Sequence, residues 1–188
     1  MVNLKGKNIV EEIILKTPLE IERKYLIDMP SEEVLAAYPS AFFMDIEQTY
    51  LISTVKGESA RVRRIKDEDG HIRYVKTEKK RINARTCEEN EYELSKEVYE
   101  AELFFRDINR RTIYKRRYVL PYGSYKLEID IYPFWKQTAI LEVELSREDE
   151  EVDFPRFLHI LREVSDEKRF KNRALARVVP DESDIRAE

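Results

Sequence analysis

One short run of alternating residues, Glu20-Ile21-Glu22-Arg23-Lys24, narrows the folds open to this chain more than its bulk properties do. In an extended strand, successive side chains point to opposite faces, so Glu20, Glu22 and Lys24 share one face and Ile21 takes the other. Same-face neighbours stand roughly 7 Å apart along the strand. Two carboxylates at that spacing converge on one hard cation, and the ammonium beyond them meets an anion held by that cation.

The pattern recurs. Residues 19–27 read as the first strand, and Pro30-Ser31-Glu32-Glu33 opens a short helix with Ser31 as N-cap and Val34, Leu35 and Tyr38 as its apolar side. Further strands are expected at about 45–53, 58–65, 71–80, 89–94, 111–120, 124–132 and 138–146. Asp67-Glu68-Asp69-Gly70 supplies the hairpin between the third and fourth strands. Ser95 caps an amphipathic helix over 96–105, whose Val98, Ala101, Leu103, Phe104 and Phe105 are expected to cover a sheet face. Helices are also expected from Pro155 through Glu163 and from about Glu167 through Leu175, with a frayed tail from Pro180. Residues 1–18 carry a weak helical period ending at Pro18 and read as an N-terminal arm or short helix. No repeat or linker divides the chain, so residues 1–188 read as one domain with its core over 19–176.

The charged strand faces are sorted by sign. Arg61 pairs with Arg63, Lys115 with Arg117, Glu91 with Glu93, Glu128 with Asp130 and Glu142 with Glu144, while Lys79 closes a Thr-Glu-Lys step. An ordinary sheet with one wet face gives the same alternation, but mixed signs along each strand are the usual solubility pattern. The helices are also too few to cover both faces of an open eight-stranded sheet. Closure into a barrel removes the edges and turns one face inward. The expected fold is therefore α+β: a closed eight-stranded antiparallel β-barrel, a tunnel with a charged interior, flanked by helices and a C-terminal helical lid. Eight acids and six bases on these faces give an expected interior charge of −2. Buried ions cost several kcal/mol each unless paired, so such a bore must be wet and filled by a charged ligand. A metal–polyphosphate complex suits both signs, with carboxylates on Mg²⁺ or Mn²⁺ and basic groups on phosphate oxygens.

Composition removes other classes. Lys and Arg total 34 against 38 Asp and Glu, a net charge of −4, which argues against a general nucleic-acid partner and leaves room for an acidic exterior around a basic interior. No apolar run approaches the ~20 residues that span a bilayer, so no membrane partner is expected, and the N-terminal residues do not resemble a signal peptide. Cys87 is the only cysteine; it excludes an intrachain disulfide and a Cys-based zinc cluster, and a reducing cytoplasm is the expected compartment. His71 and His159 have no partner in sequence for nucleophilic catalysis. A homodimer is compatible with the sequence.

With these residues in view, the chain resembles the CYTH domains, or triphosphate tunnel metalloenzymes. Glu20-Ile21-Glu22-Arg23-Lys24 matches their ExExK signature, and Gln48-Thr49-Tyr50-Leu51, Arg61 to Arg64, Thr77 to Lys79, Glu91 to Glu93, Lys115 to Tyr118, Glu128 to Asp130 and Leu141 to Leu145 follow in the family's order. The segment Val164 to Leu175 resembles the piece that closes the tunnel in short bacterial members, with Phe170 where an aromatic hydroxyl is frequent. The resemblance implies divalent-metal-dependent hydrolysis of a triphosphate, inorganic tripolyphosphate first, to pyrophosphate and phosphate. Lys24, Arg61, Arg63, Lys79, Lys115, Arg117 and Arg169 are the implied grip on the phosphates. Glu20, Glu22, Asp130, Glu142 and Glu144 are the implied metal ligands, and Lys24, Glu20 and Glu22 the implied catalytic groups. Glu91, Glu93 and Glu128 rank as supports for the basic residues. A class IV adenylate cyclase, a thiamine triphosphatase and a non-catalytic polyphosphate- or nucleotide-binding module stay open as alternatives.

Overall fold

The eight strands close on themselves. They are β1 (Leu19–Asp28), β2 (Phe42–Tyr50), β3 (Glu58–Asp67), β4 (Ile72–Arg81), β5 (Thr86–Leu94), β6 (Ile113–Tyr122), β7 (Tyr125–Ile131) and β8 (Thr138–Leu145). The computed structural model describes residues 19–187 except 54, 56–57, 84–85 and 148, with side chains from Ile21 onward. The arm or helix expected over 1–18 lies outside the described residues. Around the barrel the order is β1-β5-β4-β3-β2-β6-β7-β8, every pair antiparallel, and β8 returns to β1. The seal against β5 spans only Leu19↔Glu88, Glu20↔Cys87 and Ile21↔Thr86, whereas β1 follows β8 from Ile21↔Leu145 to Asp28↔Thr138.

That short seal leaves most of one β1 edge open, and this corrects one sequence expectation. Residues 160–163 are not helical; they form a ninth strand, β9 (Ile160–Glu163), lying along β1 at Tyr25↔Glu163, Leu26↔Arg162 and Ile27↔Ile160. An exposed strand edge carries unpaired N–H and C=O groups, and their pairing outweighs the local helical pattern. Between the two partners of this edge, the Lys24 backbone N–H donates to Ser165 Oγ at 3.0 Å, and the Lys24 carbonyl accepts from Val164 N at 2.8 Å.

Strand parity separates the barrel's two faces. Tyr25, Ile27, Ile129, Leu141 and Val143 face outward into a core closed by Leu35 of α1 (Glu32–Ala37) and by Leu158. Leu35 alone of α1 is buried; Val34, expected on its apolar side, is exposed, and Ser31 makes no side-chain cap bond. A second pad sits over β3 and β4, where Tyr99 of α2 (Lys96–Glu102) packs on Leu51 and Val62. Ser95 caps α2 as expected, accepting from Val98 N at 3.3 Å, but Val98, Phe104 and Phe105 point to solvent. For Phe104 and Phe105 the change of period is the reason: α2 ends in a 3₁₀ turn at Leu103–Phe105, which rotates them off the barrel.

Inside, one end of the barrel is plugged. Leu26, Tyr50, Ile113 and Ile140 from four strands, with Tyr132 just past β7, project against Phe170, Leu175 and Ala176 of the C-terminal segment, which carries α3 (Asn172–Leu175). The tail expected to fray is ordered: α4 (Glu182–Ala187) buries Ile185 in the same cluster. Glu182 accepts from the backbone of Lys136 and Gln137, and Trp135 Nε1 donates to the Pro180 carbonyl at 3.2 Å.

Candidate active site

Above the plug, the interior faces enclose a bore of about 1070 Å³. Register alone brings its centre together: Lys24 on β1 stands directly across from Glu142 on β8, and Glu22 across from Glu144. Lys24 Nζ pairs with Glu142 and lies 2.7 Å from Glu22 Oε1. Next to it, Arg117 on β6 spans three carboxylates. Its Nε and Nη2 donate to Asp130 at 2.6 and 2.7 Å, its Nη2 also reaches Glu142 at 2.5 Å, and its Nη1 binds Glu128. Lys115 takes up Asp130 Oδ2, so both oxygens of this fully buried carboxylate are engaged. The Tyr132 hydroxyl lies 3.3 Å from Asp130 and 2.7 Å from Asn172 Oδ1, tying the C-terminal segment to the centre.

The opposite wall repeats the motif with β3, β4 and β5. Arg61 reaches Glu89 at 3.4 Å, and Lys79 pairs with the same carboxylate. Arg63 pairs with Glu91 and donates to Thr77 Oγ1 at 3.1 Å, while Thr77 donates to Glu91 at 2.9 Å. Arg63 Nε is nonetheless buried without a hydrogen-bond acceptor.

Crowding of like charge shows in the proton affinities. Burial and the adjacent Arg61 push the Arg63 guanidinium down to about 10, against the pull of Glu91. Burial and Arg117 push the Lys115 ammonium down to about 8, and Asp130 and Glu142 only partly restore it. Lys24 behaves oppositely: burial lowers it, but Glu142 and Glu22 outweigh burial and hold it well above an ordinary lysine. Burial likewise raises Glu142, yet Lys24, Arg117 and Lys115 hold it well below the usual carboxylate range.

Among the sequence-derived residues, Glu22, Lys24, Arg61, Arg63, Lys79, Glu91, Lys115, Arg117, Glu128, Glu142 and Glu144 line the bore, with Asp130 buried behind Lys115 and Arg117. The Glu20 side chain lies outside the described residues. Glu93 is exposed at the end of β5 and does not line the bore. Arg169 lies off the lining too, stacked on the Phe170 ring and paired with Glu167. Neighbours on the C-terminal segment, Lys168 and Lys171, face the bore in its place.

The expected interior charge of −2 is overturned by residues that strand pairing within single motifs did not flag. Among the described residues, fourteen Lys and Arg side chains line the bore against six carboxylates, and Asp130 makes a seventh acid, an excess of seven positive charges in this set. Parity offered some of these: Arg73 and Arg81 share a face with Lys79, Lys126 shares one with Glu128, and Glu89 shares one with Glu91. Arg110, Lys168, Lys171, Arg173 and Arg177 come from segments outside the barrel strands, and no sequence pattern placed them here. Since the whole chain carries −4, the exterior is acidic around a basic interior, as composition allowed.

Among the described residues no three acidic, histidine or cysteine side chains form a ready cluster for a metal ion. The donor set still fits a hard divalent cation. Glu22 and Glu142 already converge on a positive charge, the Lys24 ammonium, and Glu144 stands across the strand pair from Glu22. Carboxylate oxygens are the ligands that Mg²⁺ and Mn²⁺ prefer.

No protein-family model and no curated protein matches the sequence. Solved structures do match in fold. The inorganic triphosphatase NE1496 is 23% identical, with 86% of this chain and 97% of that chain covered at a TM-score of 0.54. A conserved protein of Pyrococcus furiosus is 19% identical, with 69% and 80% covered at a TM-score of 0.51. This chain shares its fold, a closed eight-stranded antiparallel barrel, with the inorganic triphosphatase NE1496.

Proposed function

We propose that the bore hydrolyses a triphosphate, with inorganic tripolyphosphate as the leading substrate, to pyrophosphate and phosphate. One observation carries this reading. Burial together with neighbouring cations lowers the proton affinity of Arg63 and Lys115, and Arg63 keeps a buried N–H without an acceptor. A bound polyanion reverses that penalty and supplies acceptors. The name of NE1496, an inorganic triphosphatase of the same fold, supports the choice of substrate.

In this reading Arg61, Arg63, Lys79, Lys115 and Arg117 grip the phosphate chain, and the arginine forks fix its orientation. Asp130, engaged on both oxygens, holds Arg117 and Lys115 in place for that task. Lys24, kept protonated by Glu22 and Glu142, clamps the terminal phosphoryl group as a charge. A water oxygen attacks the terminal phosphorus, the Glu22 carboxylate takes its proton on the oxygen that Lys24 does not engage, and the P–O bond to the pyrophosphate leaving group breaks. Glu22, Glu142 and Glu144, with Glu20, would hold Mg²⁺ or Mn²⁺, which when bound neutralises phosphate charge and lowers the pKa of a coordinated water.

The test supplies tripolyphosphate, ATP and thiamine triphosphate in parallel, each with Mg²⁺ or Mn²⁺ and with a chelator control. Orthophosphate and pyrophosphate from tripolyphosphate, abolished by chelation, are the expected result. Cyclic AMP and pyrophosphate from ATP would overturn the assignment in favour of a cyclase. Tight binding of all three with no turnover would leave a binding module.

A further inference from the structure

The apolar residues of α2 and the turn after it are only half used within the chain. Tyr99 and Leu103 pack on Leu51, Val62 and Tyr74 of the barrel wall. Val98, Phe104, Phe105 and Ile108 remain in solvent, and Ile52 lies beside them. The Ile52 backbone N–H donates to the Phe105 carbonyl at 2.9 Å, next to the Leu51↔Arg106 bridge, so the two side chains stand on neighbouring stretches of backbone. This turn is well fastened. Asp107 N donates to the Tyr50 carbonyl at 2.9 Å, and the Asp107 carboxylate accepts from Asn109 N and Arg110 Nε, both at 3.0 Å. A backbone held in this way presents its side chains ready for a partner, with little ordering entropy left to lose on binding.

Area and charge together identify the partner. The five side chains are between 47% and 84% exposed. At roughly 200 Å² for a fully exposed side chain of this size, they offer about 600 Å² of apolar surface, the upper limit for a typical monomer. Two such patches face to face remove about 1,200 Å² from water before any rim residue is counted, the area at which specific protein interfaces begin. The rim is charged with opposite signs. Glu97 and Glu100 stand exposed on the α2 side, and Arg106 and Arg111 stand exposed beyond the turn. A two-fold axis through the patch reverses one copy against the other, so the acids of each copy face the bases of its mate. An anionic lipid surface would instead meet Glu97 and Glu100 as like charges.

We infer that two copies of this chain join through this face, in an isologous dimer centred on Phe104, Phe105 and Ile108. The inference is independent of the chemistry in the bore.

Sedimentation of the full chain over a concentration series tests it. A species of twice the 22.6 kDa of one chain, dissociating on dilution, is expected. Phe104 and Ile108 are more than four-fifths exposed, so the core of one copy does not need them. The double variant Phe104→Asp, Ile108→Asp is expected to raise the dimer Kd at least about a hundredfold and to keep the circular dichroism and thermal midpoint of the dilute wild-type chain. Arg106→Glu is expected to weaken the dimer about tenfold, and adding Glu100→Arg to restore it. A wild-type chain that stays monomeric at its highest soluble concentration, a dimer that survives the double variant, or a charge reversal without rescue would each overturn the inference. A monomer that binds anionic vesicles through Phe104 and Ile108 would overturn it in favour of a membrane. A monomer whose melting point falls in the double variant would overturn it in favour of cover by another segment of the same chain.

Discussion

Replacing Glu142 by Gln separates binding from turnover, and the structure sets the sign of each change. The carboxylate is 6% exposed and bound by Lys24 and by Arg117 Nη2 at 2.5 Å. Breaking a fully buried ion pair costs about 3–5 kcal/mol. Here Gln keeps an acceptor of the same size, Lys24 keeps Glu22, and Arg117 keeps Asp130 and Glu128. The stability loss is therefore expected at about 2 kcal/mol, a fall in Tm of roughly 4–8 °C for a chain of this length. Because Glu142 is held below its unfolded pKa, its contribution is complete above about pH 4.3 and is lost as pH falls through the lower folded value. The gap between the two proteins should thus close on acidification. Metal-free tripolyphosphate should bind the variant more tightly, since a negative charge has left the bore. At about 6 Å and an effective dielectric constant near 20 the Coulomb effect is about 3 kcal/mol, and water and salt in the bore reduce it to about 1 kcal/mol, roughly fivefold in Kd. Turnover should fall by at least about a hundredfold, as a ligand for the cation that stabilises the transition-state charge is lost. Thermal melts, calorimetric titration in chelator and phosphate release with Mg²⁺ read the three quantities separately. Weaker metal-free binding, or undiminished metal-dependent turnover, would refute the placement of Glu142.

Three further outcomes follow from the same geometry. Lys115 loses its proton near pH 8 in the free bore, whereas an unfolded lysine holds it to about pH 10.4, so phosphate binding between these values should draw the proton back. Calorimetry at pH 9 in buffers of different ionisation enthalpy should register net uptake, and net release would contradict it. Tyr132→Phe removes the hydroxyl that joins Asp130 to buried Asn172, at an expected cost of about 1–2 kcal/mol. Amide exchange should quicken over residues 171–176 while the barrel strands stay protected; uniform exchange changes would count against a local tie. Ile185→Ala, in the helix that docks on Trp135, should cost about 2–4 kcal/mol by denaturant melt. A frayed tail predicts no loss.

Alternation alone was enough to divide the barrel's inside from its outside. Glu22 and Lys24 line the bore while Tyr25 and Ile27 pack outside it, and Glu142 and Val143 divide in the same way, because strand parity is a local property of the backbone. The tight hairpin at Asp67–Gly70 was legible for the same reason: Gly70 has φ +89, a conformation that glycine adopts without strain. What the local pattern misjudged depends on which distant segment arrives. Residues 160–163 became a strand because β1 offered an unpaired edge, and residues 182–187 became a docked helix because Trp135 and the capped backbone at Lys136 awaited them.

The sign of the bore shows the division most clearly. Sequence assigned carboxylates and bases to the strand faces and summed them to a slightly negative interior. The tertiary structure made the described interior strongly positive, adding Arg73, Arg81 and Lys126 near the strand ends and carrying Arg110, Lys168, Lys171, Arg173 and Arg177 into it from outside the barrel strands. Parity fixes which way a strand residue points, since that is set by its own backbone. The potential inside a cavity is a sum over every chain segment that borders it, and only closure of the fold decides which segments those are.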